Sequence, residues 1–335
     1  MPGIIAKPCG GKTISGNSLV ITQTARILLP FFITTTMRLL PLTLLLAAGL
    51  ISPLTAQDDT AASREKPAPE KAGDPEKPDE AVKGEGPEVP EDLLSDPHVR
   101  EEFGVNQFTT PSIRKIFGSL DLLGQLPYDK LKREIPKGTS TDRSRVALSL
   151  GVLIGDGFLS AQSEKVDDLE DIGRAVLRHA KVLAAGARVT EHAKSILETS
   201  ALGDWKTLRE DLAATQKDVE SEMVLLRDVD MAHLISIGGW LRGLEIASTA
   251  ALDPFSAERA AVLARKDLAE YFSATLADLN PHLKKLSHMS ALHTGIDEIR
   301  ALIDLPEGKP FEQAQVQQVH DKAVALVRVI TAAKP

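Results

Sequence analysis

The sequence predicts an all-α fold, a helical bundle made of two similar four-helix units behind an N-terminal helical extension. Three observations predict it. Apolar residues recur at three- and four-residue spacing from about residue 110 to the C-terminus. Capping residues and Gly or Pro stops divide that pattern into helix-length pieces. No stretch alternates β-branched and polar residues over the length of a strand.

The first part of the chain carries a different pattern. Met37-Arg38 precedes the apolar run Leu39–Ile51, and Ser52–Ala56 leads into the acidic Gln57-Asp58-Asp59. A basic start, an apolar core and a small residue at the exit read as an export signal over 37–56. The apolar run is about 13 residues, short of the roughly 20 that span a bilayer, so no stable membrane span is expected once the signal is removed. Residues 1–36 hold no acidic residue and no helical period; Met37 is the expected true start, and 1–36 an over-long one. The protein is therefore expected to be exported, to a periplasmic or extracellular space.

Removal of 1–56 takes away Lys7, Lys12, Arg26 and Arg38 and no acid, so the formal net charge moves from −8 to −12. That balance argues against nucleic acid or anionic lipid as a partner, since both demand clustered Lys and Arg. The single cysteine, Cys9, falls in the removed part, which leaves no disulfide and no thiolate site. Residues 57–92 contain six prolines, many Glu and Lys, and no aromatic residue. Such a segment buries too little apolar surface to offset its ordering entropy, and it is expected to be an extended linker.

The helical pattern begins with an extension over 93–141. Thr110-Pro111 reads as a cap with Pro at the first helical position, followed by Ile113, Ile116, Phe117, Leu120 and Leu123 and closed by Gly124. A first unit over 142–229 opens with a helix through Leu150, Ile154 and Phe158. A second helix carries Leu169, Ile172, Val176 and Leu183, a third starts at Thr190, and a fourth follows the Asp204 cap. A second unit over 230–333 opens with Met231–Thr249. Asp253-Pro254 caps its next helix, Asn280-Pro281 a short one, and helices around Ile299 and Val319 complete it. Leu148–Leu159 resembles Ile235–Ile246 at an offset of 87 residues, and Ile196, Leu202, Lys206 and Leu208 match Ile299, Leu305, Lys309 and Phe311 at an offset of 103. These matches suggest that one unit is a copy of the other.

The two opening helices contain Gly151, Gly155, Gly157, Gly238, Gly239 and Gly243. At about 1 kcal/mol each relative to Ala, such residues need something close against them to compensate. Gly151 and Gly155 share one helical face, as do Gly239 and Gly243, so these four are the candidate close-packing glycines. Asp156 has no basic residue within one turn and must find any ionic partner elsewhere in the fold, whereas Arg242 has Glu245 at i+3. Asp156, Trp240, Arg242 and Glu245 are accordingly the candidate ligand-binding residues. The position of Asp156, roughly 100° around the helix from Gly155, counts against a pair with Arg242.

Catalytic signatures are missing from the sequence. The eight histidines form none of the metal-binding spacings, and His282, His288 and His293 are the one cluster where a metal site is worth considering. There is no nucleophile elbow, phosphate loop or dinucleotide fingerprint, and no cofactor is expected. The sequence thus favours non-catalytic binding or scaffolding with an unidentified protein or small-molecule partner. The alternative is a small-molecule or metal-binding bundle with its site between the two units.

Overall fold

The computed structural model describes residues 90–185, 196 and 198–332. The start-site and signal readings and nearly all of the linker lie outside the described residues, as does most of 186–197, where the sequence places the third helix of the first unit. The last linker residues, Glu91 and Asp92, already open a helix. Among the described residues there are fourteen α-helices and no strand, so the fold is an all-α bundle.

The extension consists of α1 (Glu91–Leu94), α2 (Pro97–Glu102), α3 (Ile113–Leu123) and α4 (Tyr128–Leu131). The long helices follow: α5 (Arg143–Gln162), α6 (Val166–Val182), α7 (Trp205–Ala214), α8 (Gln216–Leu225) and α9 (Val229–Leu252). The chain ends with α10 (Ala257–Ala260), α11 (Lys266–Asp278), α12 (Pro281–Lys284), α13 (Ser287–Ile303) and α14 (Gln313–Thr331).

Helices α5 and α9 form the centre because they are apolar nearly all round, which forces burial on several faces at once. Ala147, Leu148, Val152 and Leu159 of α5 and Leu234, Ile237, Leu241 and Ile246 of α9 are all buried. By length and composition α5 could cross a membrane, yet 72% of its apolar window is buried inside the fold. Each central helix starts at an aspartate: Asp142 accepts from the Ser144 amide at 2.9 Å and Asp228 from the Met231 amide at 3.2 Å. These bonds satisfy amides that helix geometry leaves without partners.

The other long helices are amphipathic and cover this pair. Helix α6 lies along α5, α14 along α9, α13 along α14, and α11 along α13. The seam of α13 and α14 is built from the expected Ile296 and Ile299 with Leu292 and Ile303 on one helix, and from Val319, Ala323, Leu326 and Ile330 on the other; the expected Leu302 is only half-buried.

Three helix boundaries differ from expectation. Helix α3 begins at Ile113, not at Pro111, because Thr110 turns its hydroxyl back to the Asn106 carbonyl and the Ile113 amide is satisfied by Gln216 Oε1 of α8 at 2.9 Å. The helix after Asp204 is broken at Thr215, whose hydroxyl donates to the Leu212 carbonyl at 2.7 Å. After Asp253-Pro254 the cap is Ser256, and a short α10 and a 3-10 turn intervene before α11.

The extension is pinned to the core by a polar network. Asn106 Nδ2 donates to the Tyr271 hydroxyl at 2.9 Å, and that hydroxyl lies 3.0 Å from His233 Nε2. Phe108 stacks on the Tyr271 ring at 4.6 Å between centroids. With Asn106 donating to it, the hydroxyl is free to give its own proton to His233, which must then be neutral with a lone pair on Nε2. Burial lowers the pKa of His233 from 6.5, and the nearby Asp230 offsets this only in part. Burial lowers the pKa of His179 in the same way.

A histidine with a depressed folded-state pKa takes up its proton more readily when unfolded. Its stabilising effect is therefore complete above 6.5 and is lost as pH falls through the folded value. The depressed carboxylates Asp142, Asp168 and Asp267 act only below their ordinary value of 3.8, so the two windows are separate. Between pH 7.5 and pH 5 the two histidines act to lower the melting temperature as pH falls, while Asp156, whose carboxyl is raised above 3.8, acts the other way. His233→Gln should therefore retain more of its pH 7.5 melting temperature at pH 5 than the parent protein does, and thermal unfolding of both proteins at the two pH values measures this.

Candidate functional site

The two central helices cross at their glycines with almost no separation. A Cβ on Gly151 would lie 1.9 Å from the Ile235 carbonyl oxygen, and one on Gly238 would lie 2.1 Å from the Leu148 carbonyl oxygen. Backbone therefore occupies the space that any side chain would need. The two contacts are reciprocal, since Leu148 and Gly151 each stand 87 residues before Ile235 and Gly238. Further along, Gly151 approaches Gly239 and Gly155 approaches Arg242, so residue numbers rise together on both helices. The helices run parallel and meet along the i, i+3, i+4, i+7 face of each.

Of the four glycines singled out by spacing, Gly151 and Gly155 are at the contact. A Cβ on Gly239 would be in ordinary contact, 3.5 Å from the Gly151 oxygen. Gly243 is corrected: it is exposed, and a Cβ there would meet nothing within 4 Å. The close-packing residue on α9 is instead Gly238, one position before the pair that four-residue spacing selects. The 87-residue offset from Gly151 is the signal that identifies it.

Gly155 makes room for an arginine. A Cβ there would lie 2.8 Å from Arg242 Cγ and 3.0 Å from its Cβ. The Arg242 stem runs over this gap, and the side chain is fully buried. Its Nε donates to Asp156 Oδ1 at 2.7 Å, and its Nη2 donates to the Leu131 carbonyl of α4 at 2.5 Å. Nη1 lies 2.8 Å from Glu245 Oε2, an ion pair outside hydrogen-bond geometry, which leaves both atoms buried without a hydrogen bond. The structure thus brings together Asp156, Arg242 and Glu245. The angular offset of Asp156 is bridged by the length of the arginine, whose guanidinium reaches around the helix.

Trp240 does not join them. It is half-buried and packs on Phe272 of α11, with ring centroids 5.2 Å apart. Two further contributors come from the extension, the Leu131 carbonyl and Arg133. Neither was predicted: a carbonyl acceptor has no sequence signature, and Arg133 is one charge in a short basic run. Burial pushes the Asp156 carboxyl above its ordinary 3.8, against the pull of Arg242 and Arg133, and burial also lowers the pKa of the Arg133 guanidinium. An acid with a raised folded-state pKa holds its proton more tightly folded than unfolded. Ionising Asp156 therefore subtracts stability as pH rises from 3.8 to its folded value.

The space beside this cluster is small. A crevice of about 10 Å³ between Tyr128, Arg133, Asp156 and Ser160 is at the lower limit for one water molecule. The candidate histidines do not converge: His288 is buried with Nε2 3.1 Å from Ser144 Oγ, His293 faces Asp297 at 3.7 Å, and His282 sits in α12. Among the described residues no group of three or more His, Cys, Asp or Glu is placed to hold a metal ion.

Three outcomes are expected in denaturant titrations. Gly151→Ala or Gly238→Ala should lower stability by about 2–3 kcal/mol, outweighing the ~1 kcal/mol gain in helix propensity. Gly243→Ala, with open space around it, should instead raise stability by about 0.5–1 kcal/mol. Arg242→Met should cost about 3–5 kcal/mol, because it strands the buried Asp156 carboxylate, the part-buried Glu245 carboxylate and the Leu131 carbonyl.

Comparison with family models, with curated proteins and with solved structures finds no match for this chain, so a functional reading has to be built from this geometry.

Proposed function

We propose that this protein is an exported, soluble, non-catalytic helical scaffold, presented on a Pro- and Glu-rich tether and acting by binding a partner outside the cytoplasm. The observation that carries the scaffold reading is the filled centre. The glycine crossing excludes side chains, Arg242 fills the gap at Gly155, and the adjoining crevice is about 10 Å³, far below the roughly 300 Å³ of a small-molecule site. A ligand between the central helices would have to displace a fully buried arginine with two hydrogen bonds.

Export and the tether rest on the sequence: the signal pattern at 37–56, the six prolines of 57–92 and the cysteine-free remainder. The proposed copying of one unit into the other draws on the reciprocal contacts of α5 and α9. The flanking helices do not repeat that relation, since α6 covers α5 whereas α14, not α11, covers α9. Duplication is therefore proposed for the central pair.

Mass spectrometry of the protein purified from its own cells tests the reading in two ways. The mature N-terminus should fall near Gln57 in an extracytoplasmic fraction, and a peptide from 1–36 would refute the export reading. Under native conditions the mass should be that of the chain alone or with a protein partner. A stoichiometric small molecule that disappears in Arg242→Met would refute the scaffold reading.

A further inference from the structure

The loop between α2 and α3 is held on the core by a chain of hydrogen bonds whose direction is fixed. Asn106 Oδ1 accepts from the amides of Phe108 at 2.8 Å and Thr109 at 3.2 Å, so the side-chain amide cannot turn over without stranding both. Its Nδ2 therefore donates to the Tyr271 hydroxyl at 2.9 Å, and the hydroxyl proton is directed at His233 Nε2, 3.0 Å away. The chain closes only with a lone pair on Nε2.

A proton on Nε2 turns that acceptor into a donor. The Tyr271 hydroxyl would then accept from both neighbours, and its own proton would lose its acceptor, since Asn106 Oδ1 is occupied. The ring is packed against the loop itself: a Cβ on Gly104 would lie 3.3 Å from Nε2. Burial disfavours the protonated ring, and Asp230, one turn back on α9, favours it less strongly. The Asp230 carboxylate is in turn held by the Asn280 amide, which donates to Oδ2 at 3.3 Å. From the loop and from α11 the ring is faced by Gly104 and the Tyr271 hydroxyl.

The two sides of the contact differ in how firmly they are held. Helix α11 is anchored by Ala269, Phe272 and Leu276, all buried, whereas the chain carries no helix between Glu102 and Ile113. Irregular segments of this kind open at a lower free energy than core helices. We propose that the loop is a proton-operated latch: a proton taken up by His233 undocks Gly104–Thr110 from α9 and α11 while the core stays folded. The latch is closed above pH 6.5, the ordinary value for histidine, and its closure weakens as pH falls from there toward the depressed value of the docked state. Opening lifts Phe108 off Tyr271, and with it the end of a row of rings that continues through Phe272 to Trp240.

Hydrogen exchange of the purified protein in steps from pH 7.5 to pH 5 tests the latch, read as protection factors so that the intrinsic pH dependence of exchange drops out. The hydrogen-bonded amides of Val105, Phe108 and Thr109 should lose about five-fold or more in protection, while those of Leu234–Leu241 in α9 stay within about two-fold. In His233→Gln the loop should keep its protection at pH 5. Asp230→Asn removes the carboxylate that favours the proton, so it should move the loss to lower pH; this second variant leaves the chain of hydrogen bonds intact. Undiminished loop protection in the parent at pH 5, an equal loss in α9, the same loss in His233→Gln, or a transition in Asp230→Asn that stays in place or moves to higher pH would each overturn the proposal.

Discussion

The fold depends on a backbone contact. At Gly151 and Gly238 the carbonyl oxygens of the facing helix stand where Cβ atoms would be, so α5 and α9 approach to a distance that no other residue pair permits. Close approach brings extensive dispersion contact between two helices that are apolar on nearly every face. It also offsets the intrinsic cost of glycine in a helix interior, which is otherwise about 1 kcal/mol per residue. The remaining helices form layers outward from this pair, α6 on one side and α14, α13 and α11 on the other.

The charged cluster adds specificity to that contact more than stability. A buried ion pair seldom exceeds a well-packed apolar pair in stability, and the raised pKa of Asp156 shows the desolvation penalty at work. What the cluster provides is register. Arg242 fits only where Gly155 leaves room, and it reaches Asp156, Glu245 and the Leu131 carbonyl only when α5, α9 and α4 are correctly placed. A shift along the crossing would leave charges buried without partners. The extension is therefore tied to the core from within at α4, and independently at Tyr271 and His233.

Much of this was legible in the sequence, and the failures have physical causes. Helix content followed from apolar periodicity, and the central role of α5 and α9 from apolarity on all faces. Asp156, Arg242 and Glu245 stood out as charges in apolar runs. Gly243 was misassigned because four-residue spacing fits both 239/243 and 151/155, while the contact uses the i, i+3, i+4, i+7 face and thus Gly238. Trp240 was grouped with Arg242 by sequence proximity, yet two positions apart on a helix is about 200°, enough to turn it toward Phe272. The break at Thr215 carries no Gly or Pro, only a hydroxyl bonding back to Leu212, and such bonds compete with helix geometry without announcing themselves.

The reciprocity of the crossing and the asymmetry of its surroundings together explain where the charges lie. Under the 87-residue relation Gly155 corresponds to Arg242 and Asp156 to Gly243. One helix thus supplies the gap and the acid, and the other supplies the arginine. A symmetric pair carrying arginine on both helices would bury two like charges at one crossing, and one carrying glycine on both would leave a void. Dividing the roles fills the gap once and neutralises the charge once. It also makes the two sides of the pair unequal: α4 closes over Asp156, while the equivalent position on α9, Gly243, stays open to solvent. The extension docks on the side of the arginine, where the Leu131 carbonyl accepts from Arg242.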